Sequence, residues 1–312
     1  MKAIMMHGYG AVDQLRYEEV QTPKPGPDEV LVKVAATSVN PIDWKIRRGD
    51  LKSVMPLQFP VIPGRDVAGE IVEIGLNVSR WKRGQKVMGV VNRSYAEFVS
   101  VSSELLTLIP DGLDAEQAGV LPLVTTTGAE LIEHAGPKSG EILLVTGALG
   151  NVGRTAVYVG KQRGARIIAG VLRSQKKQAE SLGADQIVAI DDDREIESLP
   201  TLDAIADTVG HDVIGKLIRK LKSGGALGSV LGKPKAAEGK DIRVEAFMAQ
   251  PNPERLRELA QAIRDRAFSI PIARKFKLSE AGEAQKLSEQ GSVDGKIVIV
   301  PGGISVASSS RN

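Results

Sequence analysis

The sequence predicts a two-domain α/β chain, a β-rich first domain followed by a doubly wound parallel sheet, and three observations predict it. The length of 312 residues is about twice the roughly 150 residues of a typical domain. The first third alternates short Val- and Ile-rich runs with Gly and Pro, the texture of short strands joined by turns. From about Asp114 onward, apolar runs alternate with helical stretches, which implies a parallel sheet with both faces covered.

The opening residues 1–8 read as a short strand and a turn, and runs 30–34, 67–72, 86–91 and 96–99 read as further strands. The Pro-rich stretch 22–27 is a loop among them. In the second part, strands are expected at 142–146, 166–171, 186–190, 202–206, 226–231 and 241–247. Helices are expected at 151–163, 175–182, 212–221 and 253–266. A helix around 279–290 and a strand at 296–300 follow, and the small, polar 305–312 segment reads as a frayed end.

Composition narrows the functional classes. Hydrophobic residues make up 42% and charged residues 25%, ordinary values for a globular chain. The 41 basic and 38 acidic residues leave a net charge of +3, too small to point to nucleic acid or a membrane surface. There is no cysteine, which excludes disulfides, thiolate zinc sites, iron–sulfur clusters and a cysteine nucleophile. No run approaches the ~18 apolar residues of a membrane span, and the first residues lack the apolar core of a signal peptide. The expected location is the cytoplasm.

The sharpest local signal is Thr146-Gly147-Ala148-Leu149-Gly150-Asn151-Val152-Gly153, set between an apolar strand and a helix. It fits A-x-G-x-x-G, with Ala148, Gly150 and Gly153 in the small positions. The first permits the tight turn, the second lets the backbone approach a pyrophosphate, and the third lets helix and strand pack closely. The N-terminus of the helix at Asn151 and Val152 then offers N–H groups and a positive dipole end to phosphate. A lone glycine-rich turn also suits any tight strand–helix junction, but the βαβ units that follow favour a dinucleotide.

An NAD site places an acid ~20 residues beyond the glycines, on the ribose 2′-hydroxyl. Here the second strand runs into Leu172-Arg173-Ser174-Gln175-Lys176-Lys177, without an acid. Arg173, Ser174 and Lys177 suit a 2′-phosphate, so the expected cofactor is NADPH. The alternative is that these residues only begin a solvated helix.

The chain resembles the zinc-independent medium-chain dehydrogenase/reductases of the quinone oxidoreductase group. The carriers are segments 40–49 (Asn-Pro-Ile-Asp-Trp-Lys-Ile-Arg-Arg-Gly) and 59–72, the glycine turn, Ala206-Asp207-Thr208-Val209-Gly210 and Gly295-Lys296-Ile297-Val298. The resemblance implies a GroES-like domain at 1–120 completed by 268–312, a Rossmann domain at 121–267, and a cofactor in the cleft between them. Zinc members carry a metal-binding Cys and a Gly-His-Glu segment; here that segment is Gly64-Arg65-Asp66. His7, His134 and His211 are scattered without metal-ligand spacing, so no metal is expected. Without a Lewis acid, the substrates that suit hydride transfer are quinones and α,β-unsaturated carbonyls, whose conjugation delivers charge to a distant oxygen.

The resemblance further implies that Asn40 and Asp43 lie in a loop at the nicotinamide end and, with Trp44, are the candidate catalytic residues, Asn40 hydrogen-bonding the cofactor or substrate; the plain alternative is an Asx turn beside Pro41. Trp44 walls the substrate pocket or is a core aromatic. Thr126 and Thr127 lie near the nicotinamide or cap a helix. Thr208 and Val209, with Val230 and Leu231, line the crevice at the ends of the fourth and fifth strands. Lys296 reaches the cofactor or is simply solvated. Phe247 and Met248 shape the pocket or a dimer edge, and a homodimer pairing through 241–247 is implied. One departure from NADPH-using relatives is Ile190 followed by Asp191-Asp192-Asp193, where a Tyr often packs near the adenosine phosphate. The competing functions are a cofactor-binding structural or regulatory protein that binds RNA, and a zinc alcohol dehydrogenase with unusual ligands.

Overall fold

The computed structural model describes residues 1–291 and 293–302; the 305–312 tail and the side chain of His211 lie outside the described residues. The chain divides into two compact units. One holds Met1–Leu123, Pro251–Asp265 and the chain from Ile270 onward; the other holds Val124–Gln250 and Arg266–Ser269.

The first unit opens with an antiparallel hairpin of β1 (Lys2–Met6) and β2 (Leu15–Glu19). The long β3 (Glu29–Val39) leads into α1 (Pro41–Arg48), and β4 (Asp66–Ile74), β5 (Lys86–Val90), β6 (Phe98–Ser102), β7 (Leu106–Leu108) and the short α2 (Ala115–Gly119) follow. β3 is antiparallel to both β4 and β6, and β5 joins β4 to β7. Alternation on β3 turns Val30, Val32 and Val34 into one buried cluster with Val67, Ile71, Val87, Val99 and Trp81. The indole of Trp81 donates to Ser103 O at 2.9 Å, so the one polar atom of that ring is satisfied inside the core.

The Asn40–Asp43 stretch, expected as a loop, instead opens helix α1. The physical reason lies in its first turn. Pro41 stands at the helix start with φ already set, and the Asp43 carboxylate accepts from Asn40 N–H at 2.8 Å, one half of a capping box. Gly49, at φ 85°, ends the helix in the left-handed conformation.

Helix α3 (Pro122–Ala135) leads into the second unit. There β8 (Ile142–Thr146), α4 (Asn151–Gln162), β9 (Arg166–Val171), α5 (Lys176–Ala179), β10 (Gln186–Ala189), α6 (Asp193–Glu197), β11 (Leu202–Asp207), α7 (His211–Ile218), β12 (Leu221–Ser229) and β13 (Ile242–Ala246) follow in order. The strand order is β10-β9-β8-β11-β12-β13, every pair parallel. This is the doubly wound order, reversing between β8 and β11, where ligands bind at the carboxyl ends of the strands. Leu144, Ile168, Val188, Ile205 and Leu227 of the strands pack with Ile214 and Leu217 of α7 in one buried cluster.

Three expectations shift here. The 175–182 helix shrinks to α5 between two 3-10 turns, stopped by Gly183 at φ 59°. The 212–221 helix ends at Ile218, because Leu221 already pairs with Leu202 as the first residue of β12. β12 in turn ends at Ser229, so Val230 and Leu231 lie past its end.

The chain then returns to the first unit through α8 (Pro253–Arg264), which packs on β7, followed by β14 (Ile272–Lys277), α9 (Ala281–Glu289) and β15 (Lys296–Val300). β15 runs antiparallel to β3, pairing Ile297 with Val39, and parallel to β14. The first unit's sheet is therefore completed by residues near 300.

Candidate functional site

In the second unit, the junction of β8 and α4 is shaped by close approaches that only small residues permit. A Cβ on Gly153 would lie 2.1 Å from Gly147 O, and Gly147, at φ 59°, would drive a Cβ to 2.5 Å from Thr208 Oγ1. Gly150 differs: a Cβ there would meet only Gly147 O, at 3.1 Å. Its outer side is therefore open, which is what close backbone approach of a pyrophosphate needs. No side chain caps α4, so its first turn presents N–H groups and the positive end of a 12-residue helix.

A polar crest braces this turn. Thr146 Oγ1 donates to Asp207 Oδ1 at 2.8 Å and accepts from Thr208 N at 2.9 Å, while Thr208 Oγ1 donates to Thr146 O at 2.7 Å. Asp207 also accepts from Val209 N, Gly210 N and Ser229 Oγ. The buried Asp207 thus ties the ends of β8, β11 and β12 together at the switch point, with Leu231 N donating to Ser229 Oγ at 3.1 Å. Val230 is bound through its N–H to Asp207 O at 3.2 Å.

Two buried polar atoms near α4 have no partner among the described residues: Thr126 Oγ1 and Asn151 Oδ1. Thr126 is two residues before Gly128, where α3 packs against α4 so closely that a Cβ would meet Thr155 Cβ at 2.5 Å. An unsatisfied buried polar atom costs on the order of 1–3 kcal/mol, so the bare Asn151 Oδ1 right after the open Gly150 fits a bound polar ligand. Thr127, on α3 with Thr126, is half-buried.

Arg173, Ser174 and Lys177 lie just past the end of β9, all exposed. Arg173 is not free: its guanidinium pairs with Asp192, and its N–H donates to Asp191 Oδ1 at 2.8 Å. Lys176 is held by both oxygens of Glu195, at 2.9 and 2.8 Å.

The first unit holds a separate buried polar cluster. Asn40, Asp43 and Lys296 meet there, together with Ser38, Asp66 and Tyr95, which sequence reasoning did not single out as site residues. Lys296 Nζ donates to Asn40 Oδ1 at 2.6 Å and Val39 O at 3.0 Å, with Asp66 Oδ2 at 3.7 Å. Asn40 Nδ2 donates to Asp66 Oδ2 at 2.7 Å, Ser38 Oγ donates to the same oxygen, and Leu123 N reaches Asp66 Oδ1 at 2.8 Å. Tyr95 Oη donates to Asp43 Oδ2 at 3.2 Å. Lys296 is therefore neither solvated nor extended away from the protein, because its ammonium lies where two carboxylates need a counter-charge. Asn40 likewise turns its amide inward.

Burial dominates the electrostatics of this cluster. It pushes the Asp43 carboxyl up to about 7, helped by Asp66 and opposed by the Asn40 N–H, Lys296 and Arg65. It lowers the Lys296 ammonium against the pull of Asp66 and Asp43, and with Asp43 it raises the Tyr95 phenol. Trp44, one residue beyond Asp43, stands outside this network. It is half-buried, with Lys45 and Arg48 near its ring, and its Nε1 is buried without an acceptor.

The donor set does not fit zinc. The chain has no cysteine, Arg65 supplies a cation in the Gly64-Arg65-Asp66 segment, and no group of three His, Cys, Asp or Glu converges among the described residues. His7 pairs with Glu18 at 2.8 Å, and His134 stacks on Phe247 at 4.4 Å. No described helix is long and apolar enough to cross a membrane.

A parallel sheet in doubly wound order, with an open glycine turn at its switch point, defines a dinucleotide-binding protein. The family model described as the alcohol dehydrogenase GroES-like domain matches residues 26–111, and that described as zinc-binding dehydrogenase matches residues 182–299. The chain is 34% identical over 319 aligned positions to 2-methylene-furan-3-one reductase of Solanum lycopersicum, covering 96% of this chain and 79% of the relative. It is 32% identical to the chloroplastic NADPH-dependent alkenal/one oxidoreductase of Arabidopsis thaliana, covering 96% and 80%. The quinone oxidoreductase from Coxiella burnetii superposes with a TM-score of 0.88 at 32% identity, over 96% of this chain and 99% of that one. The chain belongs to the medium-chain dehydrogenase/reductase family, in its quinone oxidoreductase-like branch.

Proposed function

We propose that this protein is an NADPH-dependent, zinc-independent oxidoreductase that reduces quinones or α,β-unsaturated carbonyls. The observation that carries the reading is the glycine turn: Gly150 is open where a pyrophosphate needs space, and the adjacent Asn151 Oδ1 is buried without a partner. Two relatives matched over 96% of this chain, named for reduction of a furanone and of alkenals or alkenones, support the substrate class.

In this reading the backbone of Gly147, Ala148, Gly150, Asn151, Val152 and Gly153 holds the pyrophosphate. Arg173, Ser174 and Lys177 take the 2′-phosphate, Thr126 and Thr127 the nicotinamide end, and Thr208, Val209, Val230 and Leu231 the crevice wall. NADPH supplies a hydride when bound; the protein's share is to orient it, exclude water and bind the oxygen on which charge develops. Trp44 walls the substrate pocket, with an indole N–H that lacks an acceptor. Asn40, Asp43 and Lys296 act as positioning residues, since their polar atoms bond one another. In this reading residues 121–267 are the nucleotide domain and 1–120 with 268–312 the substrate domain, with the difference that α8 (Pro253–Arg264) packs with the first unit.

We further infer a cytoplasmic homodimer. The cysteine-free composition suits a reducing interior, and β13 is an edge strand with one side unpaired in the described chain. A two-fold axis at Val244 would set each Arg243 opposite the partner's Glu245, an opposite-charge pair made twice.

The test is steady-state oxidation of NADPH with a panel of quinones, enals and enones, run beside a simple alcohol with NADP⁺. Turnover of the conjugated acceptors, unaffected by chelators, is expected. No turnover of any acceptor by protein that binds NADPH would sink the reading.

A further inference from the structure

We propose that Asp192 is a specificity-determining residue: it holds the Arg173 guanidinium in competition with a 2′-phosphate, and so narrows the preference for NADPH over NADH. The inference rests on the reading of the glycine turn as a dinucleotide site.

Strand ends place the parts. Ala148 N, in the glycine turn, donates to Gly170 O at 3.1 Å near the end of β9, three residues before Arg173. Ile190 N donates to Val171 O at 2.9 Å, which brings Asp191 and Asp192 alongside Arg173. Arg173 therefore stands at the end of the second strand, where the adenosine ribose is recognised in this fold.

The two partners of the ion pair differ in freedom. The Arg173 side chain is 66% exposed, while that of Asp192 is 12% exposed. Asp192 is also fixed as the cap of α6, accepting from Arg194 N at 2.9 Å. The carboxylate is thus the anchored member and the guanidinium the movable one. The adjacent Lys176 is similarly engaged, by Glu195, which also accepts from Ala189 N at 2.8 Å. Lys177 makes no ion pair among the described residues.

An incoming 2′-phosphate must draw Arg173 away from Asp192 and sit close to two carboxylates. A 2′-hydroxyl meets neither cost. Exchange of one exposed ion pair for another leaves a small net gain, so selectivity is restrained by a repulsive element that acts only on the phosphorylated nucleotide.

The test measures dissociation constants of NADPH and NADH, by nicotinamide fluorescence, for the wild-type protein, D192N, R173A and the double variant. Asn is as good a helix cap as Asp, and D192S, with a third capping residue, guards against an effect peculiar to the amide. D192N and D192S should tighten NADPH roughly three- to tenfold and leave NADH within about twofold. That gain should shrink in the R173A background, as expected of groups that interact directly. An unchanged ratio of the two constants, or equal tightening of both nucleotides, overturns the inference. A wild-type protein that binds neither nucleotide overturns the NADPH reading itself, a result distinct from the first.

Discussion

Lys296 and Asn40, 256 residues apart in the chain, meet at 2.6 Å inside the first unit. The contact closes a chain of bonds through Asn40 to Asp66, and the ammonium lies 3.7 Å from the Asp66 carboxylate. All three side chains are buried, so each partner is costly to remove alone.

Lys296→Met should therefore destabilise the protein by about 3–5 kcal/mol, because it strands Asp66 without its counter-charge. Urea unfolding would show this, and adding Asp66→Asn to the Lys296→Met variant should recover part of the loss. A Lys296→Met protein as stable as the wild type would contradict a buried, interacting ammonium.

Asp43 makes stability depend on pH in a defined direction. Its carboxyl titrates near 7 in the folded chain, against an ordinary value of 3.8. Between those values the folded protein holds a proton that the unfolded chain has released, so stability falls as pH rises. The contribution is full below about pH 4 and lost as pH climbs through about 7. Asp43→Asn should remove this slope. Unfolding free energies of both proteins, measured across that range, should converge or diverge accordingly; a pH-independent difference speaks against a raised carboxyl.

Gly150 and Gly153 separate binding from folding. Gly153→Ala places a Cβ 2.1 Å from a backbone oxygen, and should cost about 1–3 kcal/mol or more through overpacking. Gly150→Ala meets only one atom, at 3.1 Å, and Gly150 has an ordinary φ of −66°. It should keep the melting temperature within a few degrees and still weaken NADPH binding at least roughly tenfold, since the methyl fills the space meant for the pyrophosphate. Calorimetric melting beside a nucleotide titration distinguishes the two.

The edge of β13 predicts a charge-swap result. Arg243→Glu should shift the protein toward monomer by facing like charges across the axis, and combining it with Glu245→Arg should restore the dimer. Light scattering after size-exclusion chromatography reads both, and a mass independent of either change would argue against pairing at this strand.

Local patterns were the legible ones. The spacing of Ala148, Gly150 and Gly153 exposes the glycine turn because strand, turn and helix are contiguous. Helix α1 was hidden only by its proline; Asn40-Pro41-Ile42-Asp43 carries a helix-start signature that could have been read. The polar cluster was harder. Asp66 meets Ser38 across 28 residues and Tyr95 meets Asp43 across 52, and such pairings depend on strand register rather than on any local signal. Lys296 gave one hint, a lone lysine at the head of the apolar run Ile297-Val298-Ile299-Val300. The acids after Ile190 were visible as a departure, but only the parallel pairing of β9 and β10 turns them onto Arg173.

Closure of the first unit by β15 has a consequence for biosynthesis. On a ribosome, Asp66 and Asn40 emerge long before Lys296; at roughly 5–20 residues per second, the gap is on the order of tens of seconds. During that interval residues 124–250 already contain every strand of their own sheet. The nascent chain thus completes its middle before its beginning, and the flank of β3 that β15 covers stays without its partner strand until translation delivers it.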